Sequence, residues 1–290
     1  MSLVSLRTDR LVTTLRLERP EALNAMSEAM AADFAAAVRR AAKEKSRVVV
    51  LEGAGAAFSA GGDLAFIEKN MGRPKATLAP LMRRFYRSFL SVRDLPQATI
   101  AKVHGTAVGA GLCLALACDL RAVADEAKLG FNFVRLGLNP GMAAWPLARA
   151  ALGDARAREL LFTGRLFTGR DLHAWGGACA RAASPAELDE VCAELAGRVA
   201  SGSAASLRLL KAETRLGENL EPWLLHEAKG QAETFKGPDL AEGVAAVRAR
   251  RAPASRVRPT RFTFPLRRTR WKVKRVRSDP FQRDGFTTRI

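Results

Sequence analysis

The stretch "VHGTAVGAGLCLALACDL", residues 103–120, is rich in glycine at its start and apolar afterwards. A chain that leaves a strand, turns on glycines and enters a helix presents unpaired backbone N–H groups at the helix start. The helix that follows this turn carries no acidic or basic side chain before Asp119. The pattern predicts a cradle of backbone amides without a proton-transferring side chain in the same helix.

A second glycine-rich turn, "AFSAGGDL" at residues 57–64, also follows a strand and leads into a helix. Two such turns side by side can direct two N–H groups at one ligand oxygen, as in an oxyanion hole. A dinucleotide site fits poorly, because the third glycine position of G-x-G-x-x-G is Phe58 after one glycine pair and Leu114 after the other. Tight packing of strands against helices, without any ligand, stays open as the structural interpretation.

The arrangement of apolar residues predicts an α/β fold. Strands are expected at 11–19, 47–53 and 98–105, and Ser27 is suited to cap an alanine-rich helix between the first two. The first half therefore reads as β-α-β-α-β with mainly parallel strands. After Pro140 the patterns are helical, at 142–151, 154–162, 168–175, 185–200, 203–216, 219–236 and 238–251.

The composition limits the class of protein. The chain has 290 residues, 48% of them apolar, which is enough for one large core. It has no run of about 18 apolar residues and no apolar signal core at its start, so we expect a cytoplasmic protein that does not contact a membrane. The four cysteines form no C-x-x-C pair, which predicts reduced thiols and no metal: Cys113, Cys118, Cys179 and Cys192.

The net charge of +18 is concentrated at the C-terminal end. Residues 251–290 contain 13 Arg or Lys, two acidic residues and four prolines, and they show no regular helical period. A basic segment of this kind favours nucleic acid or another polyanion as a partner. The alternative is a disordered appendage without a partner. We place this tail at residues 253–290.

Four blocks resemble, in order and spacing, the enoyl-CoA hydratase/isomerase family, or crotonase superfamily. They are "RPEALNAM" (19–26), "AFSAGGDL", residues 103–131 and "LGLNPG" (136–141). Residues 233–251 also resemble the closing helix of that family. The resemblance implies a spiral of β-β-α units with a C-terminal helical trimerisation region, and trimers often paired as hexamers. It divides the chain into an acyl-CoA-binding core at 1–200 and an oligomerisation region at 201–252.

The resemblance also implies the ligand and its site. Coenzyme A would enter as part of an acyl-CoA thioester substrate, with no separate cofactor. The positions that match the oxyanion-hole N–H groups of the family are Gly62 and Ala110. The family usually has glycine at the second position, and alanine there keeps its N–H. The positions that match the CoA-binding parts of the family are Arg19, Ala22, Ala57, Ala60, Gly61 and Arg250.

The acids of the family are missing from every position that the motifs place. The two glutamates that activate water in the hydratases correspond to Cys113 and Phe133. Some ring-opening isomerases of the family instead use an aspartate after the proline of the fourth block, and here that residue is Gly141. A thiol is mostly protonated near neutral pH unless its environment lowers its pKa. The resemblance therefore indicates an oxyanion hole without the usual proton-transferring partners.

Other side chains remain as candidates. Asp63 and His104 adjoin the two turns and are the candidate acid/base groups, although Asp63 also suits a helix cap and His104 a structural role. Cys113, Phe131, Phe133 and Trp145 are the candidate residues of an acyl pocket, with core packing as the alternative. We expect an acyl-thioester isomerase, decarboxylase or C–C lyase rather than a simple hydratase. A non-catalytic acyl-CoA-binding protein, or a nucleic-acid-binding role of the tail, stays open.

Overall fold

The computed structural model of the chain describes residues 2–214 and 220–251. The basic tail predicted at 253–290 lies outside the described residues. Within the described part, strands and helices alternate through the first half, and helices follow in the second half. The strands are β1 Val4–Asp9, β2 Val12–Leu17, β3 Val48–Gly53, β4 Ala57–Ser59, β5 Ala98–Val103, β6 Thr106–Val108, β7 Leu120–Ala124, β8 Lys128–Gly130, β9 Leu166–Thr168 and β10 Ala180–Ala182. The helices are α1 Glu28–Ala41, α2 Leu64–Asn70, α3 Lys75–Leu90, α4 Ala110–Leu116, α5 Ala144–Thr163, α6 Gly169–Ala174, α7 Pro185–Ala200, α8 Ala204–Glu213, α9 Glu221–Thr234 and α10 Pro238–Arg248.

The strands form two sheets. The larger sheet has the order β1-β2-β3-β5-β7-β10, and the smaller has the order β4-β6-β8-β9. Neighbours from β2 to β10 in the larger sheet run parallel, whereas β1 pairs antiparallel with β2. The apolar run of β3 is buried from Val48 to Leu51, as expected of a central parallel strand covered on both faces.

One unit of structure repeats three times. A long strand of the larger sheet turns into a short strand of the smaller sheet, and a helix follows. The units begin with β3 and β4, with β5 and β6, and with β7 and β8. This confirms the predicted α/β class and its β-β-α repeat. The glycine-rich segments lead from the short strands of the smaller sheet into the helices. They therefore lie together at one end of that sheet.

Most predicted elements are confirmed, but the short strands β4, β6, β9 and β10 were missed. β1 was not predicted, and neither was α3, a helix that continues through Pro80 and buries Leu78, Met82 and Tyr86. The two helices predicted at 142–151 and 154–162 correspond to the two halves of α5, which are separated at Gly153, where φ is +74° and ψ is 166°. α8, α9 and α10 occupy the predicted helical C-terminal region. No helix among the described residues is long and apolar enough to cross a membrane.

Candidate functional site

A cavity of about 400 Å³ lies among α2, α3, the start of α4, the 3-10 turn Asn132–Leu136, α9 and α10. Most of its wall is apolar, with aromatic rings from α2, from α3, from the 3-10 turn and from Phe235, which follows α9. The polar side chains in the lining are those of Arg19, Asp63, Tyr86, Asn132 and Gln231. An apolar cleft with a few converging polar groups is the usual form of a small-molecule site.

Both glycine-rich turns meet at this cavity, which Gly62 and Ala110 line. A Cβ on Gly61, which has φ +91°, would lie 2.5 Å from the carbonyl oxygen of Val108 and 3.3 Å from the amide nitrogen of Ala110. A residue with a side chain would therefore push the two turns apart. The glycine at 61 is what lets them come together.

The hydrogen bonding of the first turn sets the direction of the Gly62 N–H. Met26 bonds to both neighbours of Gly62: its N–H donates to the carbonyl of Gly61 at 2.7 Å, and its carbonyl accepts from the N–H of Asp63 at 3.0 Å. In such a parallel bridge, the N–H of the central residue points away from the partner strand. No acceptor for the Gly62 N–H is found in residues 2–214 and 220–251.

The second N–H belongs to the first residue of a helix. Ala110 opens α4, so its N–H has no carbonyl one turn earlier to bond. Gly109 precedes it with φ +56°, and the Gly109 N–H is already held by the carbonyl of Gly130 at 2.8 Å. Within the described part of the chain, the Ala110 N–H likewise has no acceptor. Two unpaired donors therefore belong to residues that line one cavity.

Asp63 is held rigidly beside the first donor. Its carboxylate accepts hydrogen bonds from the N–H groups of Ala65 and Phe66 at the start of α2, at 2.7 and 3.3 Å, and pairs with the guanidinium of Arg19. Burial alone would raise the pKa of Asp63, but these hydrogen bonds outweigh it, so the pKa lies below its ordinary value. Asp63 is thus an ionised helix cap, and this geometry favours the structural interpretation of the residue.

The cysteine at the first glutamate position does not reach the cavity. Cys113 is fully buried on α4, and its Sγ–H donates to the carbonyl of Gly141 at 3.8 Å. Burial, and then the nearby Glu227, raises the pKa of the Cys113 thiol well above its ordinary value. The thiol therefore stays protonated, and Cys113 is not one of the lining residues, contrary to the prediction. Phe133, at the second glutamate position, does line the cavity.

The space beside Gly141 is already filled. A Cβ on this residue would lie 2.5 Å from both the Tyr86 hydroxyl oxygen and Gln231 Nε2. The Tyr86 hydroxyl donates to Gln231 Oε1, and both side chains are buried at the cavity wall. Position 141 therefore lacks both the aspartate and the space for its side chain, because Tyr86 on α3 and Gln231 on α9 occupy that volume.

A buried acid lies close by that the sequence did not reveal. Glu227 on α9 is 4% exposed, and its Oε2 accepts from the N–H of Ala143 at 2.6 Å. Its Oε1 has no partner among the described residues. Burial raises the pKa of Glu227 to about 8, against the lowering effect of the backbone N–H groups at the start of α5. Glu227 is not among the residues that line the cavity.

A signal for Glu227 and Gln231 exists in the sequence. The buried residues of α9 and the residue that follows it recur at helical spacing: Leu224, Glu227, Ala228, Gln231, Ala232 and then Phe235. Two polar residues four positions apart on an otherwise apolar face are uncommon, since buried polar groups need partners. Such a pair marks a polar contact inside the core, although the sequence does not say with which element.

Three other predicted residues lie elsewhere. Phe131 is fully buried in the core, and Trp145 packs beneath Arg158, whose guanidinium carbon lies 4.9 Å from the ring centroid. Neither residue lines the cavity, so the prediction that they belong to its pocket is wrong for both. His104 is also outside the lining, and its Nε2 is hydrogen-bonded to the carbonyl of Gly55 at 2.9 Å. That contact favours the structural interpretation of His104.

Three of the six predicted CoA-binding positions belong to the cavity wall. Arg19, Ala22 and Ala60 line the cavity. Ala57 is buried in β4, where its carbonyl accepts from Asn24 Nδ2 at 2.8 Å, and it does not reach the cavity. Gly61 acts through the close approach described above. Arg250 is exposed just after α10 with φ +51°, and its contact with a nucleotide phosphate stays a prediction.

The comparisons with known proteins show the family of the chain. Residues 7–254 match the family model described as enoyl-CoA hydratase/isomerase. A Thermus thermophilus protein, provisionally named an enoyl-CoA hydratase, is 38% identical over 250 residues, covering 83% of this chain and 96% of its own. The 1,2-epoxyphenylacetyl-CoA isomerase of Escherichia coli is 32% identical over 258 residues, covering 87% and 98%.

A solved structure gives the same result. The enoyl-CoA hydratase of Mycobacterium avium subsp. paratuberculosis superposes with a TM-score of 0.76 at 27% identity, covering 87% of this chain and 98% of its own. The family and the fold expected from the four sequence blocks are therefore confirmed. The chain belongs to the enoyl-CoA hydratase/isomerase family, whose enzymes act on CoA thioesters.

Proposed function

We propose that the chain catalyses an enolate-forming reaction on an acyl-CoA thioester, with the N–H groups of Gly62 and Ala110 as its oxyanion hole. The observation that carries this proposal is the pair of donors, which line one cavity and have no acceptor in the described residues. Unpaired donors fixed by turns stabilise an oxygen that gains negative charge, because they need no reorganisation during the reaction. The thioester oxygen becomes such an oxygen when the enolate forms.

The cavity walls suggest how the substrate lies. One part of the cavity wall consists of Arg19, Ala22 and Ala60, at positions that match the CoA-binding part of the family. The acyl chain would extend from the thioester carbonyl at the two donors along the apolar wall of Phe66, Phe85 and Phe133. Burying an acyl chain against such a wall gives about 0.8 kcal/mol for each methylene group. Binding energy from both ends would then hold the thioester carbonyl against the donors.

The same walls favour some reactions over others. Hydration of a double bond needs one group to activate water and another to protonate carbon. Among the described residues, Asp63 is the one carboxylate in the lining, and it is engaged by Arg19 and the start of α2. We therefore infer double-bond isomerisation, decarboxylation or C–C cleavage. Decarboxylation asks least of the protein, since the breaking C–C bond supplies the electron pair of the enolate.

A panel of CoA thioesters tests the proposal. The full-length protein is incubated in deuterated water with enoyl-, dienoyl- and malonyl-type thioesters, and both deuterium uptake and products are followed by mass spectrometry. Consumption of a thioester, or deuterium uptake next to its carbonyl, supports enolate chemistry. Thermal stabilisation by the same thioesters without exchange or product would contradict catalysis and favour a non-catalytic acyl-CoA-binding protein.

A further inference from the structure

Five polar side chains line the cavity, and four of them are paired with one another. Arg19 forms an ion pair with Asp63. Tyr86 is hydrogen-bonded to Gln231. The fifth is Asn132, whose carboxamide has no hydrogen-bond partner within the described part of the chain. A polar group in an apolar wall is costly unless a partner meets it, so Asn132 is the side chain of the lining that is left for a ligand.

The local structure does not explain the asparagine. Asn132 is the first residue of the 3-10 turn Asn132–Leu136. Asparagine is favoured in turns because its side chain bonds to nearby backbone groups. Here the carboxamide makes no such bond to any described residue, and the backbone closes the turn, with the N–H of Gly137 donating to the carbonyl of Val134 at 3.2 Å. The turn therefore does not depend on an asparagine at 132.

The carboxamide of Asn132 is open to the cavity. The residue is half-buried, and neither of its polar side-chain atoms is among the fully buried atoms that lack a partner. Since the carboxamide has no partner among the described residues, both of its polar atoms must keep accessible surface. Asn132 lines the cavity, so a ligand in the cavity can reach this carboxamide.

The contact with Gly109 shows how the carboxamide is turned. Asn132 Oδ1 lies 2.9 Å from the point that a Cβ on Gly109 would occupy, and the next atoms near that point belong to the ring of Phe133, at 3.8 and 3.9 Å. Nδ2 is farther from it than these atoms, so the oxygen is turned toward Gly109 and the nitrogen away from it. The nitrogen carries two hydrogens and cannot accept. Because Ala110 follows Gly109, this donor belongs to the same part of the wall as the second N–H of the oxyanion hole.

An oxygen that gains negative charge is the ligand atom that suits these donors. Hydrogen bonds to a charged acceptor are roughly twice as strong as those between neutral groups. An asparagine side chain that is held in place can serve as an oxyanion donor in the same way as a backbone N–H. A donor needs no proton transfer, which fits a lining whose one carboxylate among the described residues, Asp63, is already engaged.

We propose that Asn132 is a further catalytic residue, whose Nδ2 group donates a third hydrogen bond to the enolate oxygen held by the N–H groups of Gly62 and Ala110. This inference rests on the proposed function, because it needs the thioester oxygen to lie at those two donors. The interaction strengthens as the oxygen gains charge, so it acts on kcat more than on KM.

Ionisation of a bound ligand tests the donor directly. Acetoacetyl-CoA loses a proton to form an enolate, which absorbs more strongly in the near ultraviolet than the neutral thioester, so a pH titration of its complex with the full-length protein gives the pKa of the bound ligand. Donors that stabilise the enolate lower this pKa below that of free acetoacetyl-CoA. In Asn132→Leu, the pKa of the bound ligand should rise by about one unit or more, the effect of one lost hydrogen bond to a charged group. Asn132→Asp should raise it further, because an ionised carboxylate repels the enolate.

Turnover gives a second measurement on the same variant. For the thioester that the wild-type protein converts best, Asn132→Leu should lower kcat about tenfold or more and leave KM within about threefold of the wild-type value. A residue that only shaped the cavity would change KM and would not shift the pKa of the bound ligand.

A control in the same turn separates the donor from the shape of the turn. Val134 is 40% exposed and does not line the cavity, so Val134→Ala alters the turn without removing a polar group from the wall. The pKa of the ligand bound to this variant should equal that in the wild-type protein. Thermal melting shows which variants are folded. Should Asn132→Leu fail to fold, Asn132→Asp, which is close to asparagine in size, decides the matter.

The outcomes separate this inference from the proposed function. A pKa that stays at the wild-type value in both Asn132 variants but rises in Gly62→Pro would overturn the inference and leave the proposed function standing, as expected if the carboxamide binds only water. An equal rise in Val134→Ala and Asn132→Leu would also count against the donor. Wild-type protein that binds acetoacetyl-CoA without lowering its pKa would remove the oxyanion hole, and with it both the proposed function and this inference.

Discussion

The carboxylate of Glu227 on α9 accepts a hydrogen bond from the backbone N–H of Ala143, at 2.6 Å. Ala143 precedes α5 and has φ +56°, an unusual backbone conformation for a residue with a side chain. Met142, the residue before it, lines the cavity and also has a positive φ, of +59°. The contact therefore joins the C-terminal helical layer to the strained segment that forms part of the cavity wall.

The raised pKa of Glu227 gives this contact a pH dependence. Its folded-state pKa is about 8, above the ordinary value of 4.5, so between these values the folded state holds more protons than the unfolded state. Stability should therefore decrease as the pH rises from about 5 to about 8, with a slope of at most about 1.4 kcal/mol per pH unit. Urea unfolding at several pH values measures that slope.

The variant Glu227→Gln isolates the contribution of this residue. Glutamine keeps an oxygen that can accept from Ala143 but cannot ionise, so the difference in stability between the variant and the wild type should grow as the pH rises. A difference that is constant from pH 5 to pH 8 would show that Glu227 does not titrate in this range.

The hydrogen bond between Glu227 and Ala143 is also an example of a contact that the sequence does not predict. The motif blocks give the fold and the place of Gly62 and Ala110, because glycines at turns report directly on backbone geometry. The contact between Tyr86 and Gln231 joins α3 and α9, which are more than 130 positions apart in the sequence, and the contact between Glu227 and Ala143 spans 84 positions. Such contacts depend on how helices pack, which local patterns do not determine. For the same reason, Phe131 and Trp145 resembled pocket residues but lie elsewhere.

Removal of one amide donor tests the oxyanion hole. Gly62→Pro lacks the N–H, so we expect turnover of the best thioester in the panel to fall by about 100-fold or more. Gly62→Ala is the matched comparison, since it keeps the N–H and its Cβ would make ordinary contact with Ile67 Cδ1 at 3.6 Å. The ratio of turnover between the two folded variants measures the donor itself. A ratio near one would remove Gly62 from the proposed site.

The helical C-terminal region predicts the state of assembly. The resemblance places oligomerisation at 201–252, and α8 exposes two leucines, Leu209 and Leu210, with 66% and 55% of their surface accessible in the single chain. Large exposed side chains of this type suit an interface. We expect light scattering at micromolar concentration to give the mass of a trimer or a hexamer. The mass of a single chain, about 31.3 kDa, would contradict this expectation.

Substitution at Gly141 tests its packing against Tyr86 and Gln231. Gly141→Ala places a Cβ against the Tyr86 oxygen and Gln231 Nε2, so we expect a loss of about 1–3 kcal/mol of stability from overpacking. Gly197→Ala is the control with the opposite sign. That residue lies inside α7, where an added Cβ would have nothing within 4 Å, and alanine should stabilise the helix by up to about 1 kcal/mol. Chemical denaturation of both variants measures the difference, and equal effects would refute the close packing at Gly141.

The last prediction concerns hydration. Water addition to crotonyl-CoA needs two placed proton-transfer groups, each worth about 100- to 10,000-fold in rate. Phe133 stands at one of the two positions, and Cys113 at the other is buried with a raised pKa. We therefore expect hydration to be very slow or undetectable, while crotonyl-CoA still raises the melting temperature by binding the folded state. Cys113→Glu should not restore hydration, because residue 113 does not line the cavity and Phe133 still occupies the second position. A spectrophotometric assay of the wild-type protein decides the matter. Turnover of about 10 per second or faster would mean that another group, with Asp63 in the cavity lining the first to test, performs the proton transfers.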